Sequence, residues 1–166
     1  MTKDEAFMHE AVAEARKGLG EGEVPIGAVA VKDDVIIARG HNKRHALSDI
    51  TAHAEMICLR ELSAKYQKAN GNLSFDLSNV TIFSTLEPCA MCLGAMIHYR
   101  IGRVVFGEHD LLLGACGSRF AIHEKGNITV SGGVLRFGSR QPLLDFFEKQ
   151  LGQKSNKWMD IELPEK

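Results

Sequence analysis

Apolar residues near the start of the chain recur at helical spacing: Phe7, Met8, Ala11, Val12, Ala15 and Leu19. Such a stripe puts one face against a core. Thr2 and Glu5 stand three apart ahead of it, the spacing of a capping box, so a helix is predicted from Thr2 to the glycines at 18, 20 and 22. The pattern then changes. Val24 to Val31 is an almost unbroken apolar run, as in a buried strand, and Val35 to Ala38 returns after a Lys32-Asp33-Asp34 turn. So short a connection predicts an antiparallel pair. Gly40 to Ile50 is polar and reads as a loop. A second helix is predicted from Ala52 past Met56, Ile57, Leu59 and Leu62 towards Gln67, with Thr51 as its N-cap. A turn-rich loop follows over Ala69 to Ser74.

Val80 to Ser84 predicts a third strand, Cys89 to about Arg100 a helix, and Arg103 to Phe106 a fourth strand. Strand, helix and strand in that order predict a parallel pair with a right-handed crossover. Asp110 to Lys125 carries Leu111-Leu112-Leu113 and reads as a loop near a pocket mouth. Ile128 to Ser131 is a fifth short strand, and Pro142 to Leu151 a last helix. The expected fold is therefore α/β: a mixed five-stranded sheet with helices on both faces, a three-layer α/β/α sandwich. Residues 1–152 are expected to form one domain, and the charge-mixed residues 153–166 a loosely held tail whose Trp158 can dock.

The length of 166 residues suits that single domain. Twenty Lys and Arg against 21 Asp and Glu leave a net charge of −1, which gives no bulk attraction to nucleic acid, though local basic patches remain open. No apolar run reaches membrane-spanning length and no signal-peptide core is visible. With four cysteines, two of them suited to a metal, a disulfide framework is disfavoured and a reducing, cytoplasmic location without a membrane partner is expected.

The chemistry sits in two stretches, Thr51-Ala-His-Ala-Glu55 and Glu87-Pro-Cys-Ala-Met-Cys92. His53, Cys89 and Cys92 offer one imidazole and two thiols, a donor set for tetrahedral zinc with the fourth position open to water. Cys89 and Cys92 are three apart and share a helix face. Pro88 suits the entrance of that helix, where the positive end of the helix dipole favours thiolates. Glu55, two residues from His53, reaches the same place as a catalytic acid–base group without being a ligand. A lone Cys-x-x-Cys also fits a redox pair or half of a structural zinc site. A structural site wants four ligands, however, and Cys58 and Cys116 stand alone. His-x-Glu followed by Pro-Cys-x-x-Cys is the signature of zinc deaminases acting on nucleobases.

On these motifs, with Glu23-Val-Pro-Ile-Gly-Ala-Val29 and Gly94-Ala-Met-Ile-His-Tyr-Arg-Ile-Gly-Arg-Val-Val-Phe-Gly107, the chain resembles the cytidine/deoxycytidylate deaminase superfamily, and within it the bacterial tRNA-specific adenosine deaminases. The resemblance runs to about Phe147. It implies zinc as cofactor, a cytidine deaminase-like sandwich, and hydrolytic replacement of an amine on a heterocycle, with Glu55 moving a proton from water to the ring and then to ammonia. It further implies that Asn42 hydrogen-bonds the bound nucleotide and that backbone at Ala54 and Pro88 holds the base. Asp110 matches the Asp of a substrate-contacting loop. In the Gly40 to Ile50 loop, His41 and His45 are placed either to line a pocket beside the metal or to stand as solvated loop histidines, the second reading being favoured for His45.

The implied substrate is adenosine in a tRNA anticodon loop, with Asn42 and the Ile97-His98 to Arg103 region in support, and the implied assembly is a homodimer. Three departures favour a free base or nucleoside such as guanine or cytosine. Asp110-Leu-Leu-Leu-Gly114 stands where most bacterial relatives have Asp-x-Lys-Thr-Gly, so Leu112 and Leu113 replace a cation and a hydroxyl; the segment after Ser118 is short, and the Phe146-Phe147 pair is followed by balanced charge rather than a basic cluster. A zinc-bearing module without catalysis is the reading from another class.

Overall fold

The structure, a computed structural model, describes residues 1–70 and 77–151. Helix α1 spans Lys3–Gly20, and Thr2 and Glu5 form both halves of the capping box. Strands β1 (Gly27–Lys32) and β2 (Val35–His41) form the expected antiparallel pair. The short helix α2 (Arg44–Leu47) and the long α3 (Ala54–Asn70) follow. Then come β3 (Thr81–Leu86), α4 (Ala90–His98), β4 (Arg103–Glu108), a 3-10 turn over Ile122–Gly126, β5 (Thr129–Ser131) and α5 (Arg136–Leu151).

The strand order is β2-β1-β3-β4-β5. β1 lies antiparallel to β2 and β3, and β3, β4 and β5 run parallel. Helices cover both faces. Ala54, Cys58, Leu59 and Leu62 of α3 and Cys92, Leu93 and Met96 of α4 pack on Ala28, Ile82, Val104 and Phe106. Met8 and Ala11 of α1 pack on Val29, Val31, Phe83 and Val105 of the other face, and α5 lies beside α1. Side chains alternating along each strand supply both layers. The expected three-layer sandwich with a mixed five-stranded sheet is what the chain forms.

Three expectations change. β2 continues to His41, so the polar stretch is shorter as a loop and also contains α2. The ladder continues because α3 lies directly on the strand: a Cβ at Gly40 would stand 2.5 Å from the Ala54 carbonyl oxygen. Thr51 is not the cap of α3. Its N–H and hydroxyl both donate to Asp49 Oδ1, at 2.8 and 2.7 Å, closing an Asx turn, and the helix begins at Ala54 with the His53 carbonyl accepting from Ile57 N–H. The last helix starts at Arg136, six residues before Pro142, which sits inside it. Polar Arg136 and Arg140 draw that first turn onto β4, with Nε 2.8 and 3.7 Å from the two Glu108 oxygens. Tertiary contact here outweighs weak local propensity. The expected tail 153–166, with Trp158, lies outside the described residues, as do residues 71–74 of the expected loop.

Candidate active site

Two helix N-termini meet at the C-terminal ends of β3 and β4. His53 immediately precedes α3, Cys89 is the N-cap of α4, and Cys92 lies in that helix's first turn. His53 Nδ1 is 3.7 Å from Cys89 Sγ and 3.6 Å from Cys92 Sγ, and the two sulfurs are 3.7 Å apart. Tetrahedral zinc, with Zn–S about 2.3 Å and Zn–N about 2.0–2.1 Å, sets sulfurs about 3.8 Å apart and sulfur to nitrogen about 3.5 Å. The donors therefore fit that ion by separation as well as by type, with Nδ1 as the imidazole ligand atom. Among the described residues this is the one cluster of three such ligand atoms.

Electrostatics agree with the geometry. The Cys92 thiol, opposed by burial and joined by His53, pulls the Cys89 pKa down to about 4. The same Cys89 contact raises the pKa of His53. A dication among them removes the remaining proton. Glu55 is buried beneath, with Oε2 3.6 Å from Cys92 Sγ and Oε1 accepting from Ser84 Oγ at 3.1 Å. Burial pushes its carboxyl above the usual range, opposed by its own backbone N–H, His53 and Ser84.

A cavity of about 280 Å³ opens over this cluster. Val24, Ile26, Leu86, Leu113, Leu143 and Phe147 give it apolar walls, and Asn42, Arg44, Glu55, Glu87 and Asp110 supply polar groups. The size and the mixture suit one flat heterocycle.

The cytidine and deoxycytidylate deaminase zinc-binding region matches residues 1–108. The chain belongs to this deaminase family. It is 44% identical over 156 residues to the tRNA-specific adenosine deaminase of Haemophilus influenzae, covering 91% of this chain and 87% of the relative. It is 50% identical over 117 residues to the chloroplastic tRNA(adenine(34)) deaminase of Arabidopsis thaliana, covering 70% of this chain but only 8% of that much longer protein. A solved structure from a study of A-to-I editing by tRNA:A34 deaminases at the wobble position superposes with a TM-score of 0.72 at 37% identity. It covers 83% of this chain and 99% of the other. The protein is thus a zinc-dependent hydrolytic deaminase, and its donor set fits the zinc that the family requires.

The remaining residues singled out in the sequence fall in different places in this deaminase. Asn42 and Asp110 line the cavity. Ala54 is buried in the first turn of α3, and Pro88 is buried with its carbonyl accepting from Ala115 N–H at 2.9 Å. His41 faces away from the site: it is buried between Glu14 (3.4 Å) and Glu21 (3.0 Å). Arg103 is also elsewhere, at the opposite end of β4, paired with Asp4 and Ser131.

Three buried groups were not read as functional from the sequence. Glu87 accepts from the N–H groups of Asp110, Cys116 and Ser118 at 2.9–3.1 Å, so one carboxylate pins the whole loop that forms a cavity wall. Burial raises its pKa, but His109, Ser118 and these backbone donors outweigh that and hold it low. Gly114 lets the loop close in, since a Cβ there would lie 2.5 Å from Glu87 Cδ. Glu23 accepts from Ala46 N–H at 2.8 Å and from Asn42 Nδ2 at 3.4 Å, fixing α2 and the Asn42 amide. Ser84 holds Glu55. The only signal for the three was a polar side chain next to, or within, an apolar run.

Proposed function

We propose that this deaminase converts adenosine to inosine at the wobble position of a tRNA anticodon loop. One observation carries the reading: a carboxylate, Glu55, stands beside a three-ligand metal cluster at the floor of a base-sized cavity, in a chain 44% identical over nearly its whole length to a tRNA-specific adenosine deaminase. Zinc, when bound, lowers the pKa of water so that hydroxide is available near neutral pH. Glu55 takes one water proton on Oε2 and passes it to the ring nitrogen beside the amine, then carries the remaining hydroxyl proton to the amine, so that the C–N bond breaks, ammonia leaves and a carbonyl is left on the ring. Water is consumed and ammonia released, so no redox partner is needed. Asn42 and Asp110 bind polar atoms of the nucleotide, and the backbone at Ala54 and Pro88 borders the base. The apolar walls exclude bulk water. A base in RNA reaches such a cavity only when unstacked, as in a single-stranded loop.

We place the enzyme in the cytoplasm as a homodimer. The partly exposed apolar residues Met91, Ala95 and Ile97 of α4 and Met56 of α3 offer a surface for a symmetric interface. No helix among the described residues is long and apolar enough to cross a membrane.

The reading of a free base or nucleoside as substrate is favoured by one observation: Leu113 in the cavity lining and its neighbour Leu112 are both exposed, and neither offers phosphate a cation. An anticodon stem-loop carrying adenosine 34, assayed beside free adenosine, guanine and cytosine, separates the two. Turnover of the stem-loop is expected. Ammonia release from free compounds only, with the RNA adenosine intact, would replace the RNA substrate and leave the zinc chemistry standing.

A further inference from the structure

We propose that Ser84 is a positioning residue for the Glu55 carboxylate, anchoring Oε1 so that Oε2 is the oxygen that moves the proton. The proposal rests on the reading of Glu55 as the proton carrier. Ser84 is fully buried on β3, the central strand, with Ala28 beside it on one neighbour and Phe106 on the other. The side-chain layer under α3 and α4 is otherwise apolar here, built from Ala28, Ala54, Cys58, Ile82 and Phe106. A hydroxyl in such a layer costs stability unless it finds a partner. Its partner is Glu55 Oε1, at 3.1 Å.

The two carboxylate oxygens are thereby made different. Oε1 is tied to the middle of the sheet. Oε2 lies on the ligand side, 3.6 Å from Cys92 Sγ. A glutamate side chain has three torsions, and one hydrogen bond from a strand bonded on both edges removes much of that freedom at the carboxylate. The carrier must meet water on one side and the ring nitrogen on the other, and misplacement by about 1 Å can cost up to a hundredfold in rate. Ser84 neither gains nor loses a proton. Its hydroxyl hydrogen stays on Oγ while Oε2 accepts and releases the moving one.

The test uses full-length, zinc-loaded protein and reads kcat, KM, zinc content and Tm together. Ser84→Ala should keep one zinc per chain and a Tm within about 3 °C of wild type. Its KM should stay within twofold while kcat falls about 5- to 50-fold. Ser84→Thr, which restores the donor, should return kcat to within about threefold. Should its extra methyl lower Tm, Ser84→Cys supplies the shape without a strong donor and should stay at the Ser84→Ala level. In a Glu55→Gln background, Ser84→Ala should cost less than a further twofold, because both act through one carboxylate.

A Ser84→Ala enzyme with wild-type kcat, or one that loses zinc, overturns the proposal. So does a Ser84→Thr enzyme of unchanged Tm that remains as slow as Ser84→Ala. Wild-type rates in both Ser84→Ala and Glu55→Gln would remove the Glu55 reading itself, whereas a fast Ser84→Ala beside a dead Glu55→Gln removes Ser84 alone. If wild type acts only on a nucleoside, the variants are compared on that nucleoside, and the question is decided independently of the RNA.

Discussion

Glu55 Oε2 lies 3.6 Å from Cys92 Sγ, so the carboxylate on α3 proposed as the acid–base group meets a thiol on α4 that belongs to the cluster fitting zinc. Glu55 is outside the three-atom cluster that fits zinc. Glu55→Ala is therefore expected to retain about one zinc per chain and to lose turnover by at least about a hundredfold, the scale of a positioned acid–base group. Metal analysis beside a single-turnover assay checks both halves. Near-normal turnover would take Glu55 out of the reaction.

Removing a ligand should act on the metal instead. Cys89→Ala and Cys92→Ala are expected to purify with little zinc and with a lowered Tm, since metal that binds only the folded state stabilises it. Cys58→Ser is the control. Cys58 is fully buried on the sheet-facing side of α3 and its thiol is pushed far up by burial, away from thiolate chemistry. That variant should keep its zinc. Zinc loss in Cys58→Ser, or full zinc in both Cys89→Ala and Cys92→Ala, would refute the ligand assignment.

Glu87 should prove structural in a way that reaches the substrate. Three backbone N–H groups of the 110–118 loop end on its carboxylate. Glu87→Ala orphans all three, at about 1–3 kcal/mol for each buried unsatisfied group. Urea denaturation should show a loss of at least about 3 kcal/mol, and the KM of the folded fraction should rise. A variant as stable as wild type would show that the loop is held by other contacts.

Far from the site, Arg103 makes two hydrogen bonds to Asp4, at 2.9 and 2.6 Å, joining the start of β4 to the first turn of α1. Arg103 holds the Asp4 pKa below its usual value. A depressed carboxylate adds stability that is present above its unfolded pKa, near 3.8, and disappears as the pH falls through the lower folded value. Asp4→Asn should therefore be less stable than wild type at pH 7, by about 0.5–1 kcal/mol for a half-exposed pair. The gap should close as the pH falls from 3.8 through that lower folded value. Thermal melts of both proteins from pH 7 downwards provide the comparison, and a gap that persists in acid would rule out the charge as its origin.

Binding to RNA should depend only weakly on salt. Among the described residues Arg44 is the one Lys or Arg lining the cavity, and Leu111, Leu112 and Leu113 bring no charge to the loop beside it. Each phosphate contact in a single strand contributes about −0.7 to the slope of log K against log salt. A slope no steeper than about −2 is expected for an anticodon stem-loop, and Arg44→Gln should reduce it by about 0.7. A much steeper slope would point to basic contacts beyond this rim.

The order of elements and the metal chemistry were legible in the sequence because both are local. The α1 stripe and its capping box, the apolar runs of β1, β3 and β4, and the Cys89-x-x-Cys92 spacing on a helix depend on residues within one or two turns of each other. Even the meeting of His53 with the two thiols could be expected, since zinc demands a third ligand. What the tertiary structure decided are the places where distant groups satisfy one another. The start of the polar stretch expected as loop became strand at Gly40 and His41, and Arg136 to Gln141, ahead of the helix expected from Pro142, became its first turns, because α3 and Glu108 lay against them. Thr51 does not cap α3, because its N–H and hydroxyl both donate to Asp49 in the loop before the helix. Glu23, Ser84 and Glu87 look like ordinary polar residues beside apolar runs until the fold removes water from around them. Only then must each find a partner, and the partners are Asn42, Glu55 and the 110–118 loop. A buried polar group has no alternative to its protein partner, and this is a property of the packed interior rather than of any stretch of chain.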